Sequence, residues 1–219
     1  MDALLENFDI RIAQIVISFT VLLFSLTVHE MAHAWTADRL GDSTARRLGR
    51  VSLNPLVHAD LIGTIVFPLV AMASNIPLIG WAKPVPVNGR YLRHPRRDLV
   101  LVAAAGPASN LAIALAAAMI LSIFPVSPMR IGEPNVSVPL AALLSTALRL
   151  NVLLAVFNMI PIPPLDGGNV LAGLLPVRLA IPYNQLRPYG FVLLYALMLS
   201  GSLSAIIGPP ARVLISWLT

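Results

Sequence analysis

Between Leu99 and Phe124 the chain carries no charged side chain. That run exceeds the roughly 20 apolar residues with which a helix crosses a bilayer. Tyr189 to Ile207 is equally free of charge, and so is Ile12 to Val28, which stops directly before His29 and Glu30. A further apolar stretch ends at Leu165 and is interrupted by Arg149, and another, Leu61 to Trp81, contains Pro68, Asn75 and Pro77. In hydrocarbon the backbone must satisfy its own polar groups, and a helix does so within one segment. The expected fold class is therefore an all-α polytopic membrane protein with about four transmembrane helices. Composition agrees: 11% of residues are charged, against roughly a quarter in a soluble domain. The length of 219 residues suits a single membrane-embedded domain, 1–219. The flank of the first run is acidic (Asp2, Glu6, Asp9), so the run reads as a retained helix and not as a cleaved leader.

The net charge of +5 is concentrated beside the apolar runs. Arg39, Arg46, Arg47 and Arg50 follow the first, and Lys83, Arg90, Arg93, Arg96 and Arg97 precede the Leu99 run. Basic residues gathered at span ends follow the positive-inside rule, which places these segments at the cytoplasmic face of a cell membrane. The basic balance thus points to a lipid bilayer as the surrounding partner and to no nucleic acid. With no cysteine in the chain, any transition metal must be held by nitrogen and oxygen.

His29-Glu30-Met31-Ala32-His33 has the form H-E-x-x-H. On a helix, residues four apart share a face, so both imidazoles can reach one ion. Neutral imidazoles suit zinc. Glu30 lies about 100° around the helix, placed to take the proton of a water that such an ion acidifies to a pKa of about 7. An ionisable side chain inside a span costs at least about 2.5–3.5 kcal/mol, and three within five residues argue for a function. A catalytic zinc site needs a third protein ligand. Asp2, Glu6, Asp9 and Glu133 lie in the terminal segment or a loop, and Asp38, Asp42, Asp60 and Asp98 lie in or beside basic segments. Asp166 stands apart, at the end of an apolar segment within Asn158-Met159-Ile160-Pro161-Ile162-Pro163-Pro164-Leu165-Asp166-Gly167-Gly168. Prolines free backbone carbonyls and a glycine pair permits a tight turn, so a carboxylate shown there suits a ligand.

H-E-x-x-H on one apolar helix and N-x-x-P-x-P-P-L-D-G-G on a later one resemble the site-2 protease family of intramembrane zinc metalloproteases, peptidase family M50. Gly106-Pro107-Ala108-Ser109-Asn110 resembles the family's G-P-x-x-N element. The resemblance covers about three spans and implies one zinc ion held by His29, His33 and Asp166, with Glu30 as catalytic base. Asn158 occupies the position of a polar residue that helps hold the substrate carbonyl. The expected branch is the small one without a PDZ insertion. The implied substrate is a transmembrane protein, cut within or beside its span.

The His29–His33 end of the first span and Asp166 must face one side, so the chain between His33 and Leu99 crosses an even number of times. Only Leu61 to Trp81 is available, and it is expected to re-enter and turn back. The N-terminus and the Glu133 loop then lie outside, and Arg149 reaches the outer interface. The final span is expected to be Tyr189–Ile207, followed by a short surface tail. Gly80 to Asn88 reads as a short β-like loop near the active site, either a docking edge for an unwound substrate or a stiff connection. His58 and Asp60 are expected to have structural or hydrogen-bonding roles, with a second metal as the alternative. Asn110 is expected to bond across helices. Two other classes of function use the same residues: a metal or ion transporter, and a catalytically inactive membrane scaffold.

Overall fold

In the computed structural model, residues 2–74, 79–124 and 137–219 are described. The chain runs through α1 (Asp2–Arg39), α2 (Thr44–Arg47), α3 (Pro55–His58) and a π-helical turn, Leu61–Val66, that continues into α4 (Phe67–Ser74). It goes on through α5 (Pro95–Ile123), α6 (Ser137–Asn158), α7 (Asp166–Leu174), α8 (Val177–Asn184), α9 (Gly190–Leu199) and α10 (Ser202–Leu218). Among the described residues α1, α5 and α6 are long and apolar enough to cross a membrane, and α8–α9 with α10 form a fourth candidate bent by 82°.

Helix α1 does not stop at His29 but carries the whole H-E-x-x-H motif to Arg39. Near its end Ala34 and Ala37 are fully buried. It ends where Gly41 takes a φ of +115°. There the Asp42 N–H bonds Ala37 O and the Gly41 N–H bonds Asp38 O, the two bonds of a Schellman cap. Helix α5 runs antiparallel to α1, with Val102 beside His33 and Asn110 beside His29. Helix α6 runs antiparallel to α5: Ala117 and Ala118 meet Leu144 and Leu148, and Ala114 meets Val152. The small residues of α5 let the backbones approach, which is how helices associate where lipid is as apolar as the side chains.

The Leu61–Trp81 segment doubles back. Trp81 N–H bonds Gly63 O at 3.1 Å, and the Thr64 hydroxyl bonds Trp81 O at 2.8 Å, so its two ends lie side by side. Asp60 caps its start, accepting from the N–H groups of Ile62 and Gly63. Asn75 and Pro77 lie outside the described residues, as does the Glu133 loop. Where a β-like loop is expected, residues 79–88 form no strand. The Trp81 and Lys83 N–H groups are tied to Gly63 O and His58 O, while Pro84 and Pro86 have no N–H to donate.

Three expectations are corrected. The third span ends at Asn158 and not at Leu165, because the prolines after it carry the chain into a turn from which Asp166 starts α7. Arg149 is exposed on the middle of α6. Tyr189–Ile207 is not one helix: Gly201 adopts a φ of +75°, breaks the run and turns α10 away. The residues after it are no surface tail. Helix α10 passes through Gly208-Pro209-Pro210 to Leu218 and packs Ala211, Leu214 and Ile215 on Ala114 and Val152.

Candidate metal centre

His29 and His33 stand one turn apart on α1 and are buried. Their Nε2 atoms lie 3.0 Å from each other, and Asp166 Oδ2 lies 3.1 Å from His29 Nε2 and 3.3 Å from His33 Nε2. Among the described residues, this is the group that could hold a metal ion. Several contacts bring the carboxylate there. Helix α7 lies along the start of α5, where Arg96 donates to the carbonyls of Gly173 and Leu175. Gly167 and Gly190 have no room for a side chain: a Cβ on the first would meet Met159 O at 2.2 Å, and one on the second would meet Pro163 O at 1.7 Å. Beneath the turn, Ile160 and Leu165 join Leu194 and Leu203 in an apolar cluster.

The proton positions follow from the partners. His33 Nδ1 lies 2.7 Å from Val102 O, a carbonyl that can only accept, so Nδ1 carries a proton and in the neutral imidazole Nε2 is a bare lone pair. His29 Nδ1 lies 2.7 Å from Asn110 Oδ1, which has the same effect. Two bare nitrogens and a carboxylate oxygen therefore face one another, and Asp166 Oδ2 is buried with no hydrogen-bond partner. Three acceptors cannot satisfy each other; a cation can. Corners of a tetrahedron about an ion 2.0–2.2 Å from each ligand are roughly 3.3–3.6 Å apart, slightly wider than the 3.0–3.3 Å separations here. Space is reserved as well, since a Cβ on Gly106 would lie 2.4 Å from His33 Nε2 and 2.5 Å from His29 Nε2. The residues fit a tetrahedral metal with two nitrogen ligands and one oxygen ligand, and they leave a fourth position for water or substrate.

The family model for Peptidase family M50 matches residues 17–128 and 125–201. The chain belongs to this family. Within the family, the chain is 37% identical over 188 residues to the "Putative zinc metalloprotease YwhC" of Bacillus subtilis (strain 168), covering 86% of this chain and 82% of that one. It is 28% identical to the "Putative zinc metalloprotease Rip2" of Mycolicibacterium smegmatis, and 32% identical to the protein of the same name in Mycobacterium tuberculosis H37Rv. Each Rip2 match covers 83% of this chain and 66% of the relative, so the chain spans just under two thirds of those two proteins. No solved structure matches.

The other expected site residues have separate places. Glu30 is half-buried on α1 beside His29. Asn158 ends α6, and its amide donates back to Leu154 O at 3.0 Å. His58 is buried and its Nε2 donates to Ser52 O, while Asp60 serves as a helix cap, so the two do different structural work. Asn110 does bond across helices, to His29 on one side and Asn151 on the other. Asn151 and Ser25, both fully buried beside this chain of amides, went unmarked in the sequence. Their only signal there is a polar residue inside an apolar run.

Proposed function

We propose that this M50 peptidase is an intramembrane zinc metalloendopeptidase, hydrolysing a peptide bond within or beside a transmembrane segment of a substrate protein. The carrying observation is the cluster of His29, His33 and Asp166, metal-ready and enclosed by apolar helices. One zinc ion held there supplies the positive charge that polarises the scissile carbonyl and acidifies the attacking water. Glu30 takes that proton and returns it to the leaving amine. Asn158 lies at the mouth of the Asp166 turn, and its amide, released from Leu154, offers a donor to the developing oxyanion. A substrate helix must unwind before its carbonyls are open to attack, so helix-breaking residues near the cut favour cleavage.

The proposed setting is a cell membrane with the catalytic end toward the cytoplasm. The end of α1 carries Arg39, Arg93 precedes α5, and Arg96 and Arg97 lie in its first turn; such residues favour the cytoplasmic side.

The test uses detergent-purified protein, zinc analysis and a transmembrane test substrate. Wild type should hold one zinc per chain and cut. Glu30→Gln should keep the zinc and lose at least about 100-fold in cleavage rate, the usual worth of a general base. Asp166→Asn should lose both. Equal cleavage by wild type and Glu30→Gln would sink the protease reading, and metal translocation by Glu30→Gln in its place would establish a transporter.

A further inference from the structure

We infer that Asn151, on a helix that supplies no metal ligand, is a positioning residue that sets the metal-ready tautomer of His29. The inference rests on His29 being a zinc ligand, as proposed above.

The argument starts at a backbone carbonyl. Asn151 Nδ2 lies 2.8 Å from Ala147 O, one turn back on α6, and 2.9 Å from Ser25 Oγ on α1. A carbonyl oxygen accepts only, so the nitrogen of this amide must face it. Asn151 Oδ1 then faces the other way and accepts from Asn110 Nδ2 at 2.8 Å. That bond fixes the second amide, turning Asn110 Oδ1 toward His29 Nδ1 at 2.7 Å. The imidazole must meet this oxygen with a proton on Nδ1, which leaves Nε2 bare on the metal side. Each link determines the next. Ser25, Asn110 and Asn151 are all fully buried, so no water competes for these groups. His33 needs no relay, because Val102 O reaches it directly.

An amide beside an imidazole can bond it in either orientation, and among the described residues Asn151 is the partner that selects between them. In Asn151→Leu the Asn110 N–H group would be orphaned in the present orientation. A buried orphan N–H is tolerated less readily than an orphan carbonyl. The amide would turn its nitrogen to His29 Nδ1 and move the ring proton to Nε2, against the metal.

The experiment is zinc affinity by chelator competition in detergent, with helicity and elution profile recorded for each variant. Asn151→Leu should bind zinc about 10-fold or more weakly, in the range typical of lost outer-shell partners. Asn151→Met carries the same expectation if leucine does not pack. Asn110→Asp combined with Asn151→Leu should recover to within about 3-fold of wild type, because a carboxylate presents an acceptor to His29 in either orientation. Ser25→Ala, with the Ala147 carbonyl still in place, should stay within about 3-fold of wild type. The inference is overturned if wild type binds zinc and Asn151→Leu binds it equally well. It is also overturned if the loss is not recovered by Asn110→Asp, or if Ser25→Ala weakens zinc as much, since plain loosening of the bundle would then explain the effect. Absence of zinc from wild type would overturn the metalloprotease reading itself.

Discussion

A methyl group on Gly106 would sit within 2.5 Å of Nε2 on both His29 and His33, closer than any real contact. Gly106→Ala is therefore expected to abolish zinc binding while leaving the helices intact, checked by zinc per chain alongside circular dichroism. His29, Glu30, His33 and Asp166 could be singled out because their chemistry shows in residue type and spacing: imidazoles four apart, and a carboxylate closing a proline-broken apolar run. Asn151 could not. An asparagine within an apolar helix has no spacing relation to H-E-x-x-H, and its task exists only once α6 packs against both α1 and α5. Gly106 belonged to a legible motif, yet its closeness to the two rings is a fact of packing.

Uninterrupted apolar runs made α1 and α5 legible as spans, a run broken only by Arg149 made α6 legible, and the even-crossing argument made the return of Leu61–Trp81 legible. The break at Gly201 was not, because Ser200-Gly201 inside an apolar run is compatible with a straight helix until α10 finds its place on Ala114 and Val152. At the start of the doubled-back segment, Asp60→Ala should cost about 1 kcal/mol, the usual worth of an N-cap. Hydrogen exchange should rise across 61–74 and leave α5 unchanged. The turn after α1 is held by Asp42, which accepts from the N–H and hydroxyl of Thr44 and from the N–H of Asn88. Burial alone would push this carboxyl up, but those bonds and the charge of Arg47 outweigh it and hold the group below the usual range. A depressed folded value means that its stabilisation is complete above the ordinary carboxylate pKa of about 3.9 and fades as pH falls through the lower folded value. Asp42→Asn should thus lose about 1–3 kcal/mol at pH 7, the worth of hydrogen bonds to a charged group. The gap from wild type should close on acidification in pH-resolved melts.

Across the molecule, the metal position joins α1 to α7, elements far apart in the chain that share no backbone ladder. Zinc at 100 times its dissociation constant should stabilise wild type by about 2.7 kcal/mol, and Asp166→Asn should show no zinc-dependent shift in melting. The amide chain from Ala147 to His29 has one more effect. Lipid tails do not discriminate one sliding position of an apolar helix from another, whereas Ser25, Asn110 and Asn151 meet at only one alignment of α1, α5 and α6. The proposed zinc ligation by His29 would thereby be completed only in the assembled bundle. A chain newly inserted, its spans still unpaired or slipped by a turn, holds a histidine pair with no carboxylate opposite and no preference for either tautomer.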